Sequence, residues 1–192
     1  MTASKPRPRN AAATREAILE SAIRNFARSG YDGVGVREIA GDAGITAMMV
    51  NRYFGSKEQL FAEAVETSFA PPAVIAADSD ALMHDAAVAL VARTDPDADP
   101  LEPFLIMLKS VSSPRAVEIV RAAIERHVGQ RLGAQLPEPV RQVRTDVMLS
   151  VVAGFLLMRR VILPRPRGEA DPDHLVSLLE AVFTAIVETP LA

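Results

Sequence analysis

The sequence predicts an all-α chain of about nine helices, and three features predict it. Apolar residues recur at three- and four-residue spacing along most of the length. No run alternates apolar and polar residues as a half-buried strand would. Prolines fall at the edges of the periodic stretches, where a missing N–H costs least. The expected organisation is a flexible basic tail over 1–10, a helix-turn-helix domain over 11–58 and a larger helical part over 59–192.

The first helix is expected over about Ala12–Ser29, with Ile18, Leu19, Ala22, Ile23 and Phe26 on one face and Gly30 ending it. Gly35 stands at the cap position of a second helix that runs to about Ala43, with Val36, Ile39 and Ala40 as its apolar stripe. Gly44 supplies the positive φ of a sharp turn, and Ile45 is the apolar plug behind it. Thr46 is placed to cap a third helix, reaching about Tyr53, by accepting a hydrogen bond from its first turn. Val50 and Phe54 are expected to face inward with Ile39 and Ile45. Ser56-Lys57-Glu58-Gln59 reads as a capping box in which the Ser and Gln side chains each satisfy a free N–H. The helix it starts should reach about Phe69, before Pro71-Pro72.

Five further helices follow, at about 73–93, 101–111, 114–136, 139–163 and 172–189. The linkers 94–100 and 164–172 contain proline and acidic residues that break helical periodicity.

Composition narrows the function. The chain has 192 residues and no cysteine, which excludes disulfides, thiolate chemistry and cysteine-bound metal. No apolar run reaches the ~18 residues of a spanning helix, and MTASKPRPRN has basic residues without the apolar core of a secretory signal. A soluble, cytoplasmic protein without membrane contact is expected. The net charge of −3 divides unevenly: residues 1–60 carry nine Lys/Arg against six acids, and the remainder is acidic. A basic head on an acidic body suits a molecule that offers nucleic acid one end only.

Helix, tight turn and helix over Val36–Leu60 is an arrangement that presents one helix to the DNA major groove. On the wheel, Thr46, Ala47 and Met49 lie at its exposed start, where a groove-bound helix meets base edges. Arg37, early in the second helix, can reach a phosphate. Lys57 sits at a helix start whose free N–H groups favour an anion.

Ile39-Ala40, Gly44-Ile45-Thr46 and Tyr53-Phe54-Gly55-Ser56-Lys57-Glu58-Gln59-Leu60 resemble the amino-terminal domain of the TetR family of transcriptional regulators. The resemblance covers roughly the first third of the chain. It implies that Thr46, Ala47, Met48 and Met49 meet bases, and that Asn51, Arg52, Tyr53 and Lys57 meet phosphates. Four positions depart from the family pattern: Met48 replaces a small residue, Asn51 and Arg52 replace a tyrosine pair, and Tyr53 replaces a histidine. Arg52 can restore a charge-assisted phosphate bond, whereas the two methionines offer thymine methyls only apolar contact. The basic tail Lys5-Pro-Arg7-Pro-Arg9 suits a minor-groove arm or a plain solubilising terminus.

The last two helices are apolar on more than one stripe, and a helix covering only its own core needs one. The resemblance implies a two-fold four-helix bundle, with Val151, Phe155, Ile162, Leu175, Leu178, Leu179, Val182, Phe183 and Ile186 at the interface; a thick monomer core is the alternative. It also implies a homodimer on a palindromic double-stranded operator and a small-molecule effector of unknown identity. Met83, Phe104, Met107, Leu108, Met148, Phe155 and Met158 are adaptable lining candidates for that ligand, and each also suits ordinary core. Arg159-Arg160 could meet an anionic effector, a helix end or an ion pair. His84, His127 and His174 lack the spacing of a metal site, so no metal or cofactor is expected.

Two competing readings stand beside the homodimeric repressor: a DNA-binding regulator switched by a protein partner, and a helical enzyme or binding module with an incidental helix-turn-helix. No phosphate loop or nucleophile with a base supports an enzyme.

Overall fold

The structure, a computed structural model, describes residues 8–70, 82–95, 97–98, 101–138, 140–163 and 171–190. Those residues form nine helical segments and no strand. They are α1 (Pro8–Gly33), α2 (Val36–Asp42), α3 (Ala47–Phe54), α4 (Lys57–Phe69), α5 (Leu82–Ala92), α6 (Glu102–Ser110), α7 (Pro114–Ile124), α8 (Arg141–Leu156) and α9 (Pro172–Glu188). Two of them were expected as uninterrupted α-helices and instead loosen into π-type turns. α7 continues through Glu125–Gly129 to a last turn at Gln130–Ala134, and α8 continues through Leu157–Ile162. Apolar spacing does not register such a one-residue slip in hydrogen bonding.

The first helix begins at Pro8, inside the stretch expected as a tail. Proline suits a first helical turn, and Ala11-Ala12-Ala13 behind it are the strongest helix formers. Residues 1–7, with Lys5 and Arg7 of the proposed arm, lie outside the described residues.

Packing divides the chain into two compact units, residues 1–71 with 102–123 and residues 72–101 with 124–192. The first unit therefore takes in all of α4, α6 and most of α7, beyond the division at 58/59 drawn from the sequence. Its core is built on Ile18, Ala22 and Phe26 of α1, four residues apart and fully buried, with Ile39, Val50, Leu60 and Phe61. Phe61 meets Phe26 edge-on at 4.9 Å and Tyr31 at 4.9 Å, pairs worth about 0.5–1.5 kcal/mol each beyond their buried area.

A break in α1 admits α6. Gly30 has φ 73° and ψ 179°, and a Cβ there would stand 2.1 Å from the carbonyl oxygen of Lys109. Only glycine lets the two backbones approach this closely. Around the notch, the Tyr31 N–H donates to Ser110 Oγ at 3.1 Å, and Lys109 Nζ donates to the Arg28 carbonyl at 2.6 Å.

In the second unit α5 packs on α9, and α9 on α8. Leu90, Leu132, Met148, Leu179 and Phe183 are buried there. Two arginines on the α8 segment fasten neighbouring helix ends. Arg144, 6% exposed, donates through Nη1 to the carbonyls of Ile186 and Val187 and through Nη2 to that of Thr189, at 2.9 Å. Arg160 Nη1 donates to the carbonyls of Arg93, at 2.6 Å, and Asp95. These are the acceptors a helix C-terminus leaves unpaired. Arg159 lies over the Phe155 ring at 5.7 Å. The Arg159-Arg160 pair is thus engaged within its own unit, Arg160 at a helix end.

Candidate nucleic-acid interface

The turn between α2 and α3 is built by backbone hydrogen bonds. Ala43 N–H donates to Ile39, Gly44 N–H to Gly41, and Ile45 N–H to Ala40 at 2.9 Å. Gly44 takes φ 69°, a left-handed conformation that most residues resist. Thr46 holds the cap position in extended conformation, but its side chain makes no capping bond. Its carbonyl instead accepts from Met49 at 2.9 Å and Val50 at 3.4 Å, and the residue is exposed. The expected Thr cap is therefore absent.

Four-residue spacing orients α3. Val50 and Phe54 are buried against the first unit's core, with Ile39; Ile45 is half-buried. Thr46, Met48, Asn51 and Arg52 are exposed, Met48 to 80%. Ala47, Met49 and Tyr53 are half-buried along the flanks. Arg37 is exposed on α2, and Lys57 is half-buried at the first turn of α4 with Nζ 4.6 Å from the centre of the Tyr31 ring.

The capping box forms by half. Ser56 Oγ accepts from Gln59 N–H at 3.1 Å, while Ser56 N–H donates to the Phe54 carbonyl at 2.9 Å. The tight turn at Gly55 consumes the donor that the Gln59 side chain was expected to satisfy.

Three features behind α3 went unread in the sequence. Arg15 of α1 places its guanidinium 4.8 Å from the centre of the Phe54 ring and bonds Glu63 of α4 at 2.6 Å. Buried Asn25 donates to the Ser21 carbonyl at 2.9 Å and to Asp42 at 2.8 Å, and Ser21 Oγ donates to the Ile39 carbonyl at 2.9 Å. Arg28 adds an ion pair to Glu38 at 2.9 Å. Ser21 and Asn25, four residues apart on an otherwise apolar face, were the available signal. They fix α2 on α1, and α2 fixes the turn that aims α3.

At the start of α4, Arg115 of α7 directs Nε and Nη2 to one oxygen of Glu58, at 3.0 and 2.7 Å. Its Nη1 bonds Glu118 at 2.7 Å. These bonds hold the Glu58 carboxyl below its ordinary range. Burial, with the Glu58 charge second, raises the Tyr31 phenol.

The residues expected at a ligand pocket divide between the units. Phe104, Met107 and Leu108 belong to the first, half-buried, and Met83, Met148, Phe155 and Met158 to the second. Met148 is core and Met158 is exposed. An apolar groove of about 380 Å³ in the second unit is lined by Val143, Arg144, Val147, Val182, Ala185, Ile186 and Thr189. Of the expected dimer residues, Leu178, 67% exposed, Val182 and Ile162 face outward. Val151, Phe155, Leu175 and Ile186 are half-buried. Leu179 and Phe183, on the neighbouring stripe of α9, are buried within the chain. Val143 and Val147 of α8 extend the outward face. His84 bonds Glu180 at 2.8 Å. Among the described residues no group of three His, Asp or Glu could hold a metal ion, and no helix is long and apolar enough to cross a membrane.

Residues 18–64 match the family model for bacterial regulatory proteins, tetR family. Residues 80–187, more than half of the chain, match the Tetracyclin repressor-like C-terminal domain. The HTH-type transcriptional regulator BetI of Agrobacterium fabrum is 36% identical over 53 residues, which are 28% of this chain and 26% of BetI. The HTH-type transcriptional regulatory protein RaaS of Mycobacterium tuberculosis is 54% identical over 43 residues, 22% of this chain and 20% of RaaS. Each match thus spans about a quarter or less of the relative. The crystal structure of the multidrug binding protein EbrR complexed with ethidium superposes with a TM-score of 0.68 at 19% identity, covering 93% of this chain and 99% of that one.

Proposed function

The chain belongs to the TetR family of transcriptional regulators, and from that premise we propose that it acts as a homodimeric repressor on a palindromic operator. The family makes it a regulator with a DNA-binding helix-turn-helix and not an enzyme. The observation that carries the finer reading is the division of α3, with Val50 and Phe54 anchoring it inward while Thr46, Met48, Asn51 and Arg52 project outward. In this reading Thr46, Ala47, Met48 and Met49 read base edges and thymine methyls, and Arg37, Asn51, Arg52, Tyr53 and Lys57 set the helix against the phosphates.

Dimerisation is supported by Val143, Val147, Leu178 and Val182, an apolar face two helices wide that a single chain leaves exposed. A second copy laid across it by two-fold symmetry buries the same residues on both sides, and the paired heads read two half-sites. The effector is proposed to be a small molecule bound in the helical part, by likeness of fold to EbrR in its ethidium complex. Release from DNA then requires that the ligand bind the two conformations unequally. The proposed setting is the cytoplasm, where the operator lies.

Selection of bound sequences from a random duplex pool tests the reading. A two-fold symmetric motif is the expected result. Recovery of no enriched sequence, with no salt-sensitive binding to duplex DNA, would overturn it.

A further inference from the structure

We propose that Arg115, on α7 and outside the helix-turn-helix, sets DNA affinity by neutralising Glu58 beside Lys57, the expected phosphate contact. This rests on the DNA-binding reading above. Lys57 and Glu58 open α4. Free N–H groups and the helix dipole at that end favour an anion, and the Lys57 ammonium adds to the attraction. A bare carboxylate one residue further on works against both.

The geometry supplies its neutralisation. Two nitrogens of the Arg115 guanidinium converge on one Glu58 oxygen, and the third bonds Glu118, three residues along α7, which holds the fork turned toward α4. Tyr31, whose ring carries the Lys57 ammonium, completes the cluster. All three members of the ion-pair group are exposed, from 43% to 63%. Such a pair contributes little to folding. Beside a polyanion, however, the sign of a surface charge is felt at every approach. Arg115 is thus a positioning and charge-balancing residue that need not touch DNA itself.

The test is a charge cycle read by anisotropy of a labelled duplex at low and at near-physiological salt. Arg115→Gln should weaken binding about threefold to tenfold at low salt, with the loss shrinking as salt rises. Glu58→Gln should bind at least as tightly as the unaltered protein, the double variant, whose pair again carries no net charge, should return close to the unaltered affinity, and Arg115→Lys should keep most of the affinity. A merely structural tie predicts that Glu58→Gln and Arg115→Gln weaken binding together with equal drops in thermal midpoint, and that result overturns the proposal. So does a double variant that binds as weakly as Arg115→Gln alone, which would make Arg115 a direct phosphate contact whose loss the removal of Glu58 does not relieve. If the unaltered protein shows no salt-sensitive duplex binding, the regulator reading falls first. If it binds and Arg115→Gln binds equally, only this inference falls.

Discussion

The guanidinium of Arg15 lies over the ring of Phe54, 4.8 Å from its centre, while it bonds Glu63. One side chain of α1 thereby braces the last residue of α3 against α4. Both charged partners are partly exposed, so Arg15→Ala should cost only about 0.5–1.5 kcal/mol in urea unfolding. A loss of DNA affinity beyond that destabilisation is also expected, because the end of the recognition helix loses its brace. Unchanged binding would mean that the apolar anchors hold α3 unaided.

Gly30→Ala and Gly41→Ala should have opposite signs. At Gly30 a Cβ meets the Lys109 carbonyl at 2.1 Å, and φ is 73°. Roughly 3 kcal/mol or more should be lost, measured as a fall in the denaturant midpoint. Gly41 is helical and a Cβ there meets nothing within 4 Å, so alanine should stabilise by up to about 1 kcal/mol.

Arg52→Ala should weaken binding to all duplexes alike and lower the salt slope by about one. Met48→Ala should leave that slope unchanged and alter which sequences are selected. Equal effects of the two substitutions in both assays would contradict the division of labour along α3.

Leu178→Glu should give a folded monomer by sedimentation, since its side chain is 67% exposed within the chain. Phe183→Ala, on the stripe of α9 that its own chain covers, should instead unfold the second unit at a cost of about 3–5 kcal/mol. A dimer that survives Leu178→Glu unchanged would move the interface elsewhere.

His84 has its pKa raised above 6.5, first by its hydrogen bond to Glu180 and then by that carboxylate's charge. The stabilisation is therefore complete below pH 6.5, the unfolded value, and is lost as pH rises through the higher folded value. The thermal midpoint of Glu180→Gln should fall below that of the unaltered protein in mild acid and converge with it in mild alkali.

Element order and the inward face of α3 were legible because each rests on local chemistry: helical spacing, a positive-φ glycine and a capping serine. Thr46 and Gln59 show where local rules lose, since the backbone of each turn satisfies donors that their side chains were expected to meet. The Arg15, Arg115 and Arg144 contacts were not legible, because each joins helices 40 or more residues apart in sequence. The burial of Leu179 and Phe183 within the chain was not legible for another reason. An amphipathic wheel shows that α9 has two apolar stripes but not which one its own chain covers.

Arg144 and Arg160 fasten their neighbours through main-chain oxygens. A clasp of this kind does not read the side chains beside it, so exchanges at 93, 186 and 187 leave its acceptors in place. The last turns of α5 and α9 can in that sense change side chains while two arginines preserve the scaffold beneath.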